Sequence, residues 1–312
     1  MGSHVCAWLL DAGHQVGIID NLSTGRPELL LSKNFTHASV GNKIAVEKVL
    51  KQNAFDCVMH LAARAIVAES FEKPDEYFEN NFRQTELLLE TLLEHGVHKF
   101  IFSSSCTIFG NSKADPIDEL QPKSPMSPYG ESKLRAENLL EEWALNKGLE
   151  CIVLRYFNAA GSEPSGRTGE WHHPETRLIP LALKAAREQS PFHILGNDYP
   201  TPDGTCIRDY VHVWDIARGH SQAMNRLLKE KVQFETYHLG TEKGFSVKEI
   251  LASVEEITGL KINKIVKPQR KGDPAKLVAS AQKAQKILDF QTPHSSLENM
   301  IRSAWNWQKR LN

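Results

Sequence analysis

The sequence predicts an α/β fold in which a doubly wound parallel sheet is followed by a smaller, mixed α/β domain. In the first half of the 312 residues, strand-like apolar runs alternate with helix-like periodic runs, an alternation typical of a parallel sheet. Several apolar runs end in polar or small residues, at the edge where open α/β sheets bind ligands. We therefore predict a first domain over residues 1–157 and a second over 158–312, with 210–240 returning to the first sheet.

Composition argues against several classes of function. The net charge is −1, so no electrostatic argument supports binding of nucleic acid or of an anionic membrane surface. No apolar run approaches the roughly 20 residues needed to cross a bilayer. The five cysteines are widely spaced and form no Cys-x-x-Cys pair, which favours a reducing compartment, and we expect the cytoplasm. His172 and His173 have no third ligand at a recognisable spacing, so we expect no metal site.

The first elements match half of a dinucleotide-binding pattern. Residues 3–12 indicate a helix that ends at Gly13, and the next run, QVGIID, indicates a buried strand closing on Asp20. A glycine, a helix and a strand that ends in an acid 18 residues after Gly2 form the second half of this fingerprint. In such a pattern the acid reaches the adenosine ribose hydroxyls.

The first half of the fingerprint, an apolar strand and a glycine-rich turn, would lie before Gly2. We expect the first strand of the sheet to be missing from this chain, together with most of the amides that cradle a pyrophosphate. Because that strand is central in a doubly wound sheet, the hypothesis is that the chain binds NAD poorly or not at all. Adding about 20 upstream residues and comparing bound cofactor by absorbance tests this, and equal occupancy would contradict it.

Strands and helices continue to alternate through the rest of the first domain. FDCVMHLAA indicates a strand and residues 75–95 an amphipathic helix, after which HKFIFSSS indicates a strand that carries Ser105 to the carboxyl edge of the sheet. A helix over residues 129–146 and the strand ECIVLRYFN follow.

The second half of the sequence has a different residue pattern from the first half. A loop rich in Gly, Pro and His lies between residues 161 and 180 and is a candidate cover for a substrate. Helices, short strands and turns follow, and Ser246 with Glu249 predicts a capping box at the start of one helix.

Tyr129 and Lys133 are four residues apart, so on a helix their side chains share one face. A phenol has a pKa of about 10, and a lysine ammonium at close range lowers that pKa by stabilising the phenolate. Such a tyrosine could take a proton from a sugar hydroxyl, with Ser105 or a neighbour at the strand end beside it. The same spacing also arises by chance on ordinary helices, so the pair needs the support of its surroundings.

Hydroxyl residues at a strand end, followed by Tyr-x-x-x-Lys in an alternating α/β chain, resemble the extended short-chain dehydrogenase/reductase superfamily. Further motifs narrow this resemblance to the UDP-glucose 4-epimerase (UDP-galactose 4-epimerase) family, over nearly the whole chain. These motifs are GSHV, IIDNLSTG, SSSCTIFG, SPYGESK, LRYFNAAG, HHPETRLIP, GNDYPTPDGTCIRDYVHV and the RKGDPA run. GNDYPTPDGT with RDYVHV best separates this family from its relatives.

The resemblance implies a Rossmann-like NAD-binding domain, a UDP-sugar-binding domain, and a redox-neutral inversion at C4 that interconverts UDP-glucose and UDP-galactose. Tyr129 would take the 4-hydroxyl proton, Ser105 would hydrogen-bond the 4-oxygen, and Lys133 would hold the nicotinamide ribose and keep the tyrosine acidic. The implied cofactor-binding residues are Gly2, Asp20, Asn21, Ala62, Asn81, Tyr129, Lys133 and Tyr156. The implied substrate-binding residues are Asn158, Arg177, Arg208, Arg270, Asp273 and Leu277.

The chain departs from the family pattern at several positions. Ser39 stands where an Asp near the adenine is usual, and Ala65 where a Lys near the cofactor is frequent, which weakens the case for NAD. Arg177 stands where Asn or His is more frequent, and Phe109 replaces a common Tyr. Leu277 is intermediate in bulk, so tolerance of N-acetylated sugars stays open.

Other functions stay open. A nucleotide-sugar dehydratase would share the fold, the cofactor, Tyr129 and Lys133, but it needs an acid pair where Cys106 and Thr107 stand. A different nucleotide-sugar epimerase, or a truncated, non-catalytic remnant that binds UDP-sugar, is a further alternative. The resemblance also implies a homodimer formed through the helices predicted over residues 75–95 and 129–146.

Overall fold

The structure is a computed structural model that describes residues 1–270 and 273–311. Its α-helices are α1 (Gly2–Asp11), α2 (Lys43–Gln52), α3 (Val67–Glu72), α4 (Pro74–Phe78), α5 (Gln84–Glu94), α6 (Pro128–Asn146), α7 (Leu178–Glu188), α8 (Val213–Lys229), α9 (Val247–Thr258), α10 (Gln282–Leu288) and α11 (Leu297–Arg310). Its strands are β1 (Gly17–Asp20), β2 (Asn34–His37), β3 (Val58–His60), β4 (Lys99–Ser105), β5 (Glu150–Tyr156), β6 (Asn158–Ala160), β7 (Pro191–Leu195), β8 (Ile207–His212), β9 (Phe234–Leu239), β10 (Gly244–Ser246), β11 (Asn263–Lys267) and β12 (Lys276–Leu277).

Four parallel strands in the order β3-β4-β5-β9 form the main sheet. Alternate side chains of β4 point to opposite faces, so Phe100 and Phe102 pack with α5 and α6 whereas Ile101 packs with α1 and α8. Both faces are therefore covered by helices, which is why β4 and β5 are almost continuously apolar and buried. This arrangement confirms the predicted doubly wound α/β fold.

A separate pair of parallel strands, β1 and β2, lies beside the main sheet. β1 and β3 line the same cleft, and within the described residues β1 pairs only with β2 and β3 only with β4. Each therefore presents one edge of unpaired backbone groups to the cleft. This gap lies where the sequence predicts a missing strand, and the expected weakness of NAD binding stays a prediction.

The second half of the chain builds two small sheets. β8 pairs with β6, β10 and β12, while β7 pairs with β11. Helices α7, α9 and α11 bury Ile179, Leu251 and Ile301 in a common core. Between β8 and β10 the chain returns to the first half of the fold. There α8 packs against α1, and β9 pairs with β5 in the main sheet. The predicted domain boundary at residue 157 stays a prediction.

The helix predicted over residues 75–95 is wrong in one respect, because it is interrupted. A π-helical segment, Glu79–Arg83, separates α4 from α5. Asn81 in this segment turns inward, accepting a hydrogen bond from Arg64 N at 2.8 Å and donating to Arg64 O at 3.0 Å and Ser132 Oγ at 3.1 Å. The widened turn satisfies these contacts, and the leucine periodicity carries no signal of it.

Local signals at helix ends predicted their positions well. α1 stops just before Gly13, whose φ of 85° is a left-handed conformation that glycine adopts freely. The predicted capping box of Ser246 and Glu249 is present at the start of α9. Among residues 1–270 and 273–311, no helix combines the length and the apolar character needed to cross a membrane.

Candidate active site

A cleft of about 2300 Å³ includes the gap between β1 and β3, runs along the strand ends of the main sheet and continues to β8 in the second half of the chain. It gathers nearly all of the site residues that the sequence predicts, although they are spread over most of the chain. Those that line it are Gly2, Asp20, Asn21, Ala62, Ser105, Tyr129, Lys133, Tyr156, Asn158, Arg177, Arg208, Arg270, Asp273 and Leu277.

The start of α6 places Tyr129 against the end of β4. Ser127 caps the helix by accepting a hydrogen bond from Gly130 N at 3.1 Å, with Pro128 at the first helical position. Gly130 lies so close to the preceding loop that an added Cβ would come within 2.8 Å of the Thr107 carbonyl oxygen. A glycine is required there for the helix to approach the strand end this closely.

Ser105 is oriented by its neighbours so that its proton remains available. Its Oγ accepts hydrogen bonds from Thr107 N at 3.2 Å and from Thr107 Oγ1 at 3.1 Å. With these acceptor positions used, the Ser105 hydroxyl donates its own hydrogen, and a hydrogen bond from Ser105 to Tyr129 favours the phenolate. Ser105 and Tyr129 therefore form one polar unit at the wall of the cleft.

Lys133 lies one helical turn beyond Tyr129 and is almost fully buried. Its Nζ donates to the Ser103 carbonyl oxygen at 2.9 Å and lies 4.5 Å from the centre of the Phe102 ring. Burial lowers the pKa of Lys133 to about 7, an effect that the Glu137 carboxylate opposes. The ammonium is therefore held by β4 and by its own helix.

The predicted lowering of the tyrosine pKa is wrong for the arrangement of the protein's own groups. Burial raises the pKa of Tyr129 above its ordinary value, and the hydrogen bond from Ser105 only partly offsets this rise. Lys133 donates to a backbone carbonyl rather than to the phenol oxygen. A buried phenolate loses its hydration. This cost outweighs any stabilisation of the phenolate that the helical spacing of Tyr129 and Lys133 provides.

The end of the cleft near β8 carries the positive charge of an arginine. Arg208 on β8 donates through Nη2 to Asp273 Oδ1 at 2.5 Å and through Nη1 to its neighbour's carbonyl oxygen, Ile207 O, at 2.8 Å. Leu277 on β12 pairs with Arg208, and Asn158 on β6 pairs with Tyr210, so backbone ladders bring these residues together. The arginine fork is therefore held in the wall of the cleft.

Two further predicted substrate residues also line the cleft. Arg270 is exposed at the cleft, and Arg177 forms an ion pair with Glu170. Of the predicted RKGDPA motif, Lys271 and Gly272 lie outside the described residues. Within residues 1–270 and 273–311, no group of three His, Cys, Asp or Glu side chains is placed to hold a metal ion.

Comparison with known proteins identifies the family to which the chain belongs. A protein-family model described as the NAD dependent epimerase/dehydratase family matches residues 1–240. The chain belongs to this family. A UDP-glucose 4-epimerase of Halalkalibacterium halodurans is 43% identical, across 99% of this chain and 92% of its own length.

Solved structures of epimerases have the same fold. The Brucella ovis UDP-glucose 4-epimerase in complex with NAD is 39% identical, with 98% of this chain and 94% of that one covered and a TM-score of 0.95. The Bifidobacterium longum UDP-glucose 4-epimerase in complex with NAD+ and UDP is 35% identical, with 99% and 95% covered and a TM-score of 0.92. The resemblance predicted from the motifs is thereby confirmed.

The residues of this epimerase/dehydratase family member fit a dinucleotide at the β1 end of the cleft. Asp20 Oδ1 accepts from Leu22 N at 2.7 Å, and its carboxylate fills the space where a Cβ on Gly25 would come within 3.1 Å. His4, in the first turn of α1, is buried beside the cleft, and neither ring nitrogen has a hydrogen-bond partner among the described residues. An acid for ribose hydroxyls and a donor near a helix N-terminus suit a nucleotide with a diphosphate.

Asn81 is the predicted cofactor residue that the structure does not bring to the cleft. Its amide holds the backbone of Arg64 and the hydroxyl of Ser132, and it is fully buried behind the cleft wall. It supports the site from behind, because the π-helical turn directs its side chain inward.

Sequence reasoning missed a layer of buried polar side chains beneath α6, the helix that carries Tyr129 and Lys133. Glu137 and Arg155 form a buried ion pair directly behind Lys133, and Ser103 joins Lys133 to His220, with Oγ 2.9 Å from Nε2. One signal for Glu137 is present in the sequence, because it continues the spacing of four from Tyr129 and Lys133. Arg155 and His220 lie on other elements, and no local spacing could have found them.

Proposed function

We propose that this chain interconverts UDP-glucose and UDP-galactose by oxidation at C4, rotation of the 4-keto sugar and reduction on its other face. One observation carries this proposal: the Ser105–Tyr129 pair and the Arg208 fork line the same cleft. The first suits proton transfer at a sugar hydroxyl, and the second suits a diphosphate, because a guanidinium binds phosphate oxygens bidentately. Its relatives are named UDP-glucose 4-epimerases, which supports the same assignment.

NAD, when bound, supplies reversible acceptance of the C4 hydride. In this proposal Gly2, Asp20, Asn21 and Ala62 bind its adenosine and diphosphate half, whereas Tyr156 and Lys133 bind its nicotinamide half. The solved relatives in complex with NAD support the choice of cofactor.

The proton is moved by the chain's own residues. The Tyr129 oxygen takes the 4-hydroxyl proton as the C4–H bond is broken, and returns it when the ketone is reduced. Once Tyr129 has taken the proton, the single hydrogen of the Ser105 hydroxyl turns to the 4-oxygen, because its acceptor positions are already used by Thr107. The hydrogen bond from Ser105 to the Tyr129 oxygen reduces the energetic cost of the buried phenolate before the transfer.

The sugar and nucleotide are held by other residues of the same cleft. Arg208 and Arg270 bind the diphosphate, Asp273 orients Arg208 through the 2.5 Å contact, and Asn158 and Arg177 complete the polar wall. Leu277 limits the space beside the sugar.

A dehydratase is the second candidate, and the structure argues against it. Cys106 and Thr107 occupy the positions where elimination requires an acid pair, and burial raises the pKa of Cys106 to about 12. The thiol is therefore neutral at physiological pH, and Thr107 is engaged with Ser105. Neither side chain can expel the 6-hydroxyl.

The test is to incubate the chain with UDP-galactose and added NAD and to measure UDP-glucose with a coupled dehydrogenase. Because weak NAD binding is predicted for this chain, NAD is added in large excess. Under that condition we expect UDP-glucose to form, and the reverse reaction to reach the same equilibrium ratio. A 4-keto-6-deoxy product would indicate the dehydratase. Binding of UDP without turnover would indicate the non-catalytic remnant, and the same assay on a chain extended at its N-terminus would locate the cause.

We also propose a homodimer formed through helices α4, α5 and α6, and a cytoplasmic location. Leu145 near the end of α6 is 61% exposed, which suits a contact with a second copy. All five cysteines are free thiols, in keeping with a reducing compartment. Light scattering of the purified chain tests the dimer, since a monomer mass would contradict it.

A further inference from the structure

We propose that Glu137 is a positioning residue for Lys133, and that its buried pair with Arg155 fixes helix α6 to the two strands that carry the site. The proposal extends the proposed function, because it assigns a role to residues outside the cleft. Neither residue lines the cleft, so neither touches substrate or cofactor.

The first argument is geometric. Glu137 Oε1 accepts from Ser104 Oγ at 2.6 Å and from Arg155 Nε at 2.9 Å, and Oε2 accepts from Arg155 Nη2 at 2.7 Å. Ser104 on β4 directly precedes Ser105, and Ser104 and Arg155 are partners in the sheet register. One carboxylate of α6 therefore contacts both strands immediately behind the catalytic serine.

The second argument concerns burial. The side chains of Arg155 and Glu137 are 1% and 0% exposed. Replacing such a pair by apolar residues is often neutral or stabilising, so a buried ion pair is weak evidence for a role in stability alone. Arg155 also leaves Nη1 without a hydrogen-bond partner among the described residues, although its guanidinium stacks 5.4 Å from the Phe109 ring centre. A pair in which one guanidinium nitrogen has no partner among the described residues, and which lies directly behind the site, points to positioning.

The third argument is electrostatic. Lys133 is buried against β4, where the Ser103 carbonyl oxygen and the Phe102 ring face its ammonium. From β3 it faces His60, whose pKa burial lowers to about 3, so that this imidazole is neutral. The charge that favours the ammonium from its own helix is Glu137.

The groups that face Glu137 itself come from three elements. They are Ser104 of β4, Arg155 and the neutral thiol of Cys151 on β5, and Lys123 of the preceding loop, whose Nζ lies 3.5 Å from Oε2. Removing the negative charge leaves the Arg155 guanidinium uncompensated and takes away the carboxylate that favours the Lys133 ammonium. The pKa of Lys133 must then fall, and the ammonium is lost at a lower pH.

The test compares Glu137→Gln with the matched control Glu141→Gln, an exposed glutamate one turn further along the same helix. The pKa of Lys133 is measured by competitive acetylation with acetic anhydride and mass spectrometry of the peptide that contains it. We expect this pKa to fall by about one unit or more in Glu137→Gln. The alkaline limb of the kcat profile should move to lower pH by the same amount, with KM for UDP-galactose little changed and Glu141→Gln like the unaltered chain.

An unchanged Lys133 pKa in folded Glu137→Gln would overturn the proposal. If Glu137→Gln does not fold, the double variant Glu137→Met with Arg155→Met removes both charges and takes its place. A folded double variant with an unaltered kcat would overturn the proposal, and so would failure of both variants to fold, since the pair would then be structural. Because acetylation requires no turnover, a shifted pKa in a chain without epimerase activity would reject the proposed function and keep this one.

Discussion

Replacing Tyr129 by Phe is expected to lower kcat for UDP-galactose by about 10² to 10⁴, the range for loss of a general acid–base group. In the proposed function the phenol oxygen takes the 4-hydroxyl proton, and Ser105, which influences its pKa, lines the same cleft. KM should change little, because the residues proposed to bind the diphosphate, Arg208 and Arg270, are left unaltered. The coupled assay for UDP-glucose measures both constants.

Tyr237→Phe is the matched control for this substitution. Tyr237 is also fully buried, but its hydroxyl donates to Glu235 at 2.5 Å on β9, away from the cleft. Its loss should lower the free energy of unfolding by about 1 kcal/mol and leave kcat unchanged. A similar fall in kcat for both variants would show that loss of a buried hydroxyl, rather than loss of the proton acceptor, explains the result for Tyr129.

Replacing Arg208 by Met should weaken binding of UDP and raise KM by about 30-fold or more, with a smaller effect on kcat. The estimate corresponds to about 2 kcal/mol. This is the lower end for a buried, hydrogen-bonded charge pair, because Arg208 and Asp273 are only partly buried, at 12% and 24% exposed. The substitution removes the guanidinium fork and leaves Asp273 without its 2.5 Å partner, so that an unpaired carboxylate faces the diphosphate. Calorimetric titration with UDP measures the affinity directly.

Arg302→Met controls for the loss of one positive charge, because Arg302 is 56% exposed and pairs with Glu298 on the surface of α11. Its effect on UDP affinity should be negligible. Arg208→Lys tests the fork itself, since a lysine keeps the charge without bidentate geometry. Full UDP affinity in Arg208→Met would contradict the assignment of this residue to the diphosphate.

The fold could be predicted from the sequence because the residue patterns that indicate it are local. Ile101 and Phe102 differ by one position and so face opposite layers of helices, an alternation that strand periodicity predicts. Tyr129 and Lys133 were placed on one face by a spacing of four, and Ser105 by its position at a strand end. The helix predicted over residues 75–95 is interrupted around Asn81. The hydrogen-bond partners of Asn81 lie 17 and 51 residues away in sequence, so no local pattern indicates the interruption.

By itself the sequence determined the doubly wound α/β fold, the strand that carries Ser105 and the face shared by Tyr129 and Lys133. The set of residues expected at one edge of the sheet followed from the family resemblance. Only the tertiary structure decided the protonation behaviour of that set. Burial raises the pKa of Tyr129 and lowers that of Lys133, and the carboxylate that opposes the second shift is itself held by Arg155 on another strand. Desolvation depends on everything packed around a group, and no spacing along the chain encodes it.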